Sequence, residues 1–379
     1  LPFAGRTVIS LDPAHYEVVK RTVAAAFRLA HDPGWQALVD AGAPAHLRFV
    51  PGNFGVFMGY DFHLTPAGPR LIEINTNAGG ALVNGLHTAA LCEPARLACL
   101  CEDLLPVETM EERLVAQFLA EVEAARGEGA RPRRVAIADE KPEQQFLRAE
   151  FELMRGLFER RGIEAHVCDS ADLSWRDGRL TLLGAPIDLV YLRDTDFTLD
   201  TPRTAGLRAA YLARAAVVTP APREYFLLAD KRRLALLSSR DALADLGATA
   251  DEAALLAEVV PETRLLAELD PEQVWRERSG WVFKPAAAFG SRAVYRGDKI
   301  SRRRFDEVRA TPDYVVQRRV EPGEIDVETS EGPQRMKFDV RAYAYRGEVL
   351  LLGARAYQGQ VTNLRSPGGG FSAICVARR

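Results

Sequence analysis

Apolar positions near the start of the chain recur every three or four residues. Val18, Val19, Val23, Ala26 and Leu29 predict helix over 13–45. The pattern then changes. Residues 54–64 and 70–75 read as strands, and Thr65-Pro-Ala-Gly-Pro69 between them predicts a hairpin. Helical spacing returns over 86–123, and the Gly-containing stretch 124–132, ending at Pro132, reads as a linker. A βαβ rhythm follows: strand 134–138, an amphipathic helix 143–161 stopped by Gly162, then strands 163–168 and 187–192. This alternation predicts a parallel α/β lobe over about 130–220. Helices fill 225–258. Strands are expected at 281–285, 292–296, 314–320, 337–345 and 348–357.

The chain has 379 residues, of which 47% are hydrophobic and 27% charged. At roughly 100–200 residues per domain, this suggests two or three lobes with large cores. A net charge of −3 gives no overall basic field for nucleic acid or an anionic membrane. No uncharged apolar run approaches the roughly 18–20 residues a bilayer span needs. The first residues carry no signal-peptide pattern. Five cysteines in so long a chain do not make a disulfide framework, which points to a reducing, cytoplasmic setting. Cys92, Cys99 and Cys101 fit no zinc spacing and read as buried thiols.

Arginine outnumbers lysine 43 to six. Codon bias accounts for most of that, but where such a chain uses Lys, a compact ammonium is a candidate requirement. Arg48, Arg193 and Arg223 are candidates for a substrate carboxylate, although among so many arginines the ordinary reading is a solvated surface or an ion pair. The phosphate-binding G-x-x-x-x-G-K-[ST] loop, the G-x-G-x-x-G turn, H-E-x-x-H and G-x-S-x-G are absent.

Two constellations remain. In the first hairpin, Asp61 lies on one strand and Glu73 and Asn75 on the next. Period-two alternation sends Glu73 and Asn75 to one face and Ile72 and Ile74 to the other. Two carboxylates and an amide oxygen with no basic partner between them describe a hard-cation site suited to Mg²⁺. A solvated polar face is the alternative, but the strand runs directly into Gly79-Gly80, as where backbone closely approaches a ligand. In the second constellation, Lys284 ends an apolar strand and precedes a small-residue loop containing Gly290 and Ser291, fit to cover a phosphate chain. Gln317, Arg318, Arg319 and Val320 would set backbone donors and acceptors beside a flat ring. Asp339 and Arg341 share a face, and Arg355, Asn363 and Gly368–Gly370 add anion-binding groups.

These residues resemble a family. From about 220 onward the chain is similar to the ATP-grasp fold in its usual order. Lys231, in Ala229-Asp-Lys-Arg-Arg-Leu234, resembles the first nucleotide lysine, and Val260-Pro-Glu-Thr263 the entry to the lid. Lys284 resembles the second lysine and Gln317–Val320 the adenine hinge. Asp339 with Arg341 resembles the D-x-R strand, and Thr362-Asn363 with the glycines the T-N…G-G turn. The family's magnesium strands, D…E-x-N, ordinarily follow that turn. Here Asp61, Glu73 and Asn75 carry the spacing at the front. The arrangement resembles a circularly permuted ATP-grasp, as in glutathionylspermidine synthetase-like proteins and eukaryotic-type glutathione synthetases. Departures are Gly59 where glutathionylspermidine synthetases suggest Arg, no acidic residue in the loop after Lys284 where eukaryotic-type glutathione synthetases suggest one, and no amidase domain expected ahead of the synthetase-like part.

The resemblance implies an α/β (α+β) architecture. Residues 1–125 would supply magnesium-binding strands, 130–222 an α/β preATP-grasp domain, and 223–379 the lid and nucleotide core. It implies ATP and Mg²⁺ as cofactors, with Asp61, Glu73 and Asn75 on the metal and Lys231, Lys284, Gly290, Ser291 and Gln317–Val320 on the nucleotide. Arg341, Arg355 and Asn363 would orient the transferred phosphoryl group and a carboxylate. The implied reaction is carboxylate–amine ligation through an acylphosphate, on a small-molecule or peptide carboxylate and an amine. A kinase on the same fold and a non-catalytic nucleotide-binding protein are the alternatives, and homo-oligomerisation stays open.

Overall fold

In a computed structural model of the chain, the described residues are 4–92, 106–287, 293–329, 332–360, 362, 364 and 369–377. The first strands are β1 (Ala4–Leu11), β2 (Met58–Thr65), β3 (Gly68–Asn75), β4 (Arg134–Asp139) and β5 (Glu164–Asp169). A small antiparallel unit, β6 (Ser174–Arg176), β7 (Arg179–Leu182) and β8 (Ala185–Pro186), precedes β9 (Leu189–Leu192) and β10 (Val217–Thr219). Then come β11 (Thr263–Leu265), β12 (Trp281–Pro285), β13 (Tyr295–Arg296) and β14 (Tyr314–Arg318). The last four are β15 (Gly323–Thr329), β16 (Gly332–Tyr345), β17 (Glu348–Tyr357) and β18 (Gly370–Val376).

The largest sheet joins the two ends of the chain. Its order is β1-β18-β17-β16-β2-β3, with β15 pairing the first half of β16. The early hairpin thus zips onto the second half of β16, with Arg341 opposite Asp61. A second sheet, β10-β9-β4-β5, is parallel throughout, as the βαβ rhythm predicts. A third, β11-β14-β12-β13, is antiparallel. The expected mixed α/β fold is therefore present.

The predicted helix over 13–45 is two helices, α1 (Pro13–Ala30) and α2 (Pro33–Asp40). Pro33 cannot continue a helix, and the Asp32 carboxylate accepts from the Gly34 N–H at 2.8 Å to begin a new one. The strand expected from Phe54 starts at Met58, after Phe57 takes a left-handed backbone at φ 53°. The helix expected over 86–123 is described as α3 (Ala81–Cys92) and α4 (Val107–Arg126), and 93–105 lie outside the described residues. The helix expected at 143–161 is α5 (Arg148–Arg160). Cys375 is disulfide-bonded, which the cysteine spacing did not announce, and Cys99 and Cys101, expected as buried thiols, lie outside the described residues. Cys168 is free and buried. Among the described residues, no helix is long and apolar enough to cross a membrane.

A buried cluster fastens α4 to the parallel sheet. The Phe118 ring meets Phe57, Phe158 and Tyr191 edge-on, with centroids 5.4, 4.9 and 5.0 Å away. Phe118 is fully buried. Phe118→Ala should therefore cost about 3–5 kcal/mol of unfolding free energy in urea titrations. A loss below about 1 kcal/mol would mean that this cluster does not hold the two layers together.

Candidate active site

Cross-strand register builds the site. In β17 and β16, Arg355 faces Asp339; in β16 and β2, Arg341 faces Asp61; in β2 and β3, Asp61 faces Glu73. Directly opposed side chains on one sheet face are close enough to interact. The result is a charged row across four strands. Arg341 donates to both Asp61 oxygens, from Nε at 2.6 Å and from Nη2 at 2.7 Å. Arg355 donates to Asp61 at 2.8 Å and to both Asp339 oxygens at 2.7 and 2.9 Å. Thr362 donates its hydroxyl to Asp339 at 2.6 Å.

This row corrects the expectation that Asp61 lacks a basic partner. Asp61 is 1% exposed, sits against two guanidinium groups, and also accepts from the Asn75 amide at 3.1 Å. Burial by itself would push its carboxyl up, but the Arg341 and Arg355 charges hold it down at about 2. In this structure its oxygens accept from Arg341, Arg355 and Asn75. Asp339 correspondingly anchors Arg355, and Arg341 is anchored by Asp61.

Sequence alternation fails at one point on β3. Asp61 pairs Glu73 but Phe62 pairs Leu71, so Ile72 is an extra residue in a β-bulge. A bulged residue leaves the ladder, and the Ile72 carbonyl instead accepts from Lys284 Nζ at 2.9 Å. Ile72 also lines the cavities instead of facing away from them. Lys284 donates further to the Gln317 side-chain oxygen at 2.7 Å. Burial pushes its ammonium down to about 8 despite the attraction of Glu73.

The two ends of the chain meet at Glu73. Lys231 Nζ lies 3.0 Å from Glu73 Oε1. Burial raises the Glu73 carboxyl, but Lys231 and Lys284 outweigh it and hold the group below its usual range. Two cavities share Glu73, Lys231, Ile72 and Thr362. The smaller is walled by Lys284, Gln317–Val320, His63 and Tyr357. The larger, about 590 Å³, is walled by Asn75, Arg341, Arg355, Asp139 and Arg193 among others.

The stretch expected to resemble an adenine hinge, Gln317–Val320, lies at the end of β14. The Gln317 amide is buried and donates to Thr263 at 3.2 Å. The backbone N–H groups of Arg318 and Arg319, expected to face a ring, already donate to the Glu262 and Gly280 carbonyls at 2.8 Å each. Their side chains also turn outward, Arg318 over the Trp281 ring and to Glu262, Arg319 to Glu321 and Asp298. Gly290, Ser291 and Asn363 lie outside the described residues.

Several lining residues were not singled out from the sequence, His63, Tyr357 and Asp139 among them. His63, two residues beyond Asp61, has Nδ1 2.8 Å from the Val320 carbonyl, bridging β2 to the hinge. Period-two spacing from Asp61 was the available signal for His63; Asp139 had none. Of the three arginines proposed for a carboxylate, Arg193 lines the large cavity. Arg223 is paired with Asp40, and Arg48 is exposed.

No protein-family model and no curated protein matches the chain. Solved structures do match its fold. A glutathione synthetase-like effector from Globodera pallida aligns with a TM-score of 0.60 at 11% identity, over 97% of this chain and 88% of that one. A putative gamma-glutamylcysteine synthetase from Methylobacillus flagellatus aligns with a TM-score of 0.52 at 13% identity, over 96% and 87%. The ATP-grasp ligase PsnB aligns over 63% of this chain with a TM-score of 0.32, too low to support an argument. The chain therefore has a glutathione synthetase-like ATP-grasp fold.

Removing the Asp61 charge leaves Arg341 and Arg355 with an unmatched buried charge. Asp61→Asn should lower stability at neutral pH by about 3–5 kcal/mol. Because folding depresses this carboxyl from 3.8 to about 2, its contribution is present above pH 4 and lost as pH falls through 2. Urea titrations at stepped pH should show the wild-type advantage shrinking across that window. An advantage independent of pH there would contradict the assignment.

Proposed function

We propose that the chain is an ATP- and Mg²⁺-dependent carboxylate–amine ligase. The observation that carries the reading is the meeting of Glu73 with Lys231 at 3.0 Å, beside Lys284, which donates to the adjoining bulge. Two buried ammonium groups next to a carboxylate and an amide form a site of the kind that holds a metal-bound polyphosphate. The domain division follows from this reading: residues 1–125 contribute the metal-side strands of a permuted core, 130–222 the α/β wall of the substrate cavity, and 223–379 the lid and nucleotide core.

Among the described residues, no three His, Cys, Asp or Glu side chains gather as a metal-ligand set. The donors that fit Mg²⁺ are the Glu73 carboxylate and the Asn75 amide oxygen, completed by phosphate oxygens. Asn75 donates its N–H to Asp61, which leaves the side-chain oxygen for a cation. Asp61 then serves by aiming Arg341 and Arg355. The metal would neutralise β- and γ-phosphate charge.

The remaining work falls to the chain's own groups. Lys231 and Lys284 neutralise phosphate charge as compact cations. Arg341 and Arg355, each pinned by a buried carboxylate, face the large cavity and hold the substrate carboxylate and the phosphoryl group in line. Phosphoryl transfer is mainly positioning and charge stabilisation, so preset guanidinium groups require little reorganisation. The carboxylate oxygen attacks the γ-phosphorus and ADP leaves. An amine then attacks the acyl carbon, forming an amide and releasing phosphate and a proton. Arg193 supplies a second cationic contact for the substrate deeper in the cavity.

Incubation with ATP, Mg²⁺ and panels of amino acids, small peptides and polyamines should release ADP alongside an equimolar amide detected by mass spectrometry. ADP with a phosphorylated product and no amide would make the chain a kinase. Glu73→Gln should remain folded by circular dichroism and lose ATP turnover by at least about 100-fold. A variant with near wild-type turnover would remove Glu73 from the metal site.

A further inference from the structure

The large cavity has a second charged wall. Asp139 ends β4 and Arg193 directly follows β9, its parallel neighbour, so both stand at the carboxyl ends of adjacent parallel strands. That edge is where open α/β sheets receive ligands. Asp139 is 6% exposed, and its carboxylate accepts one hydrogen bond, from the Glu140 N–H to Oδ1 at 2.7 Å. Among the described residues, Oδ2 has no hydrogen-bond donor. Arg193 is 7% exposed and donates to the Asn77 carbonyl at 3.0 Å. Its guanidinium lies over the Tyr191 and Phe151 rings, and its Nε is buried with no hydrogen-bond partner among the described residues.

The contrast with Asp61 is informative. Two guanidinium groups saturate Asp61, whereas Arg193 and Arg203 attract Asp139 only through space and Asp194 repels it. Burial consequently pushes the Asp139 carboxyl up to about 7. A buried, half-satisfied carboxylate facing a cavity is costly unless something fills it.

On the ligase reading, we propose that Asp139 is a binding subsite for a primary ammonium group on a substrate. This group is either the amino group of an amino-acid carboxylate substrate or the far end of a diamine acceptor. A carboxylate charge-pairs with an ammonium and accepts its N–H bonds, and the Phe151 ring lines the same cavity. Arg193 repels a cation placed on it, which fixes the ammonium at the Asp139 side.

Calorimetry in Mg²⁺ and a non-hydrolysable ATP analogue tests this with two matched pairs, L-glutamate against glutarate and 1,5-diaminopentane against pentylamine. Wild type should prefer the member with the extra ammonium by at least about 10-fold in one pair, and that pair identifies the source. Asp139→Asn should cut the preference to about two-fold or less, Asp139→Glu should keep part of it, and neither should change affinity for the ATP analogue. No preference in wild type for either pair, or a preference that survives in Asp139→Asn, overturns the subsite. Failure of the ATP analogue itself to bind wild type overturns the ligase reading and this subsite with it, whereas binding without ammonium preference overturns the subsite alone.

Discussion

Two buried carboxylates hold two buried guanidinium groups across strands drawn from opposite ends of the chain. Asp61 comes from the early hairpin, while Arg341, Arg355 and Asp339 come from late strands. Any one of these charges alone would be expensive to bury, and each is tolerable because its neighbours complete its hydrogen bonds. The row thereby fastens the hairpin to β16 and presets both arginines toward the large cavity. The same contacts serve the fold and the site, because a guanidinium fixed by a carboxylate on one side presents its remaining N–H groups in a defined direction.

The bulge at Ile72 performs a complementary task. A regular ladder between β2 and β3 would spend the Ile72 carbonyl on a strand partner. The extra residue releases that oxygen, and Lys284 from another sheet takes it. The lysine is thereby tethered beside Glu73, where the smaller cavity shares a wall with the larger. Electrostatics divides the two sides. Lysines gather around Glu73 and arginines around Asp61 and Asp339, whereas Asp139, among the described residues, accepts one hydrogen bond, from the Glu140 N–H.

Much of the architecture was legible because local patterns announced it. The hairpin turn at 65–69, the βαβ alternation after 130 and the apolar strand ending in Lys284 each depend on neighbours in sequence, and each is present. Errors fell where the determinant was a single residue or a distant one. Pro33 divided a helix that apolar spacing alone would have continued. The Cys375 disulfide likewise had no signal in the spacing of cysteines along the chain.

The sequence by itself determined the element types, the rarity of lysine and the D…E-x-N spacing, since these rest on periodicity and residue chemistry. Tertiary structure decided which charges meet. Asp61 reads identically in a string whether it faces a cation or two arginines. Only the pairing of β2 with β16, 280 positions apart at Asp61 and Arg341, gave it guanidinium partners. The burial of Asp139, with no ion pair among the described residues, is likewise invisible in a string. Coulomb forces act over distances in space, and the distance between two residues along a chain does not report them.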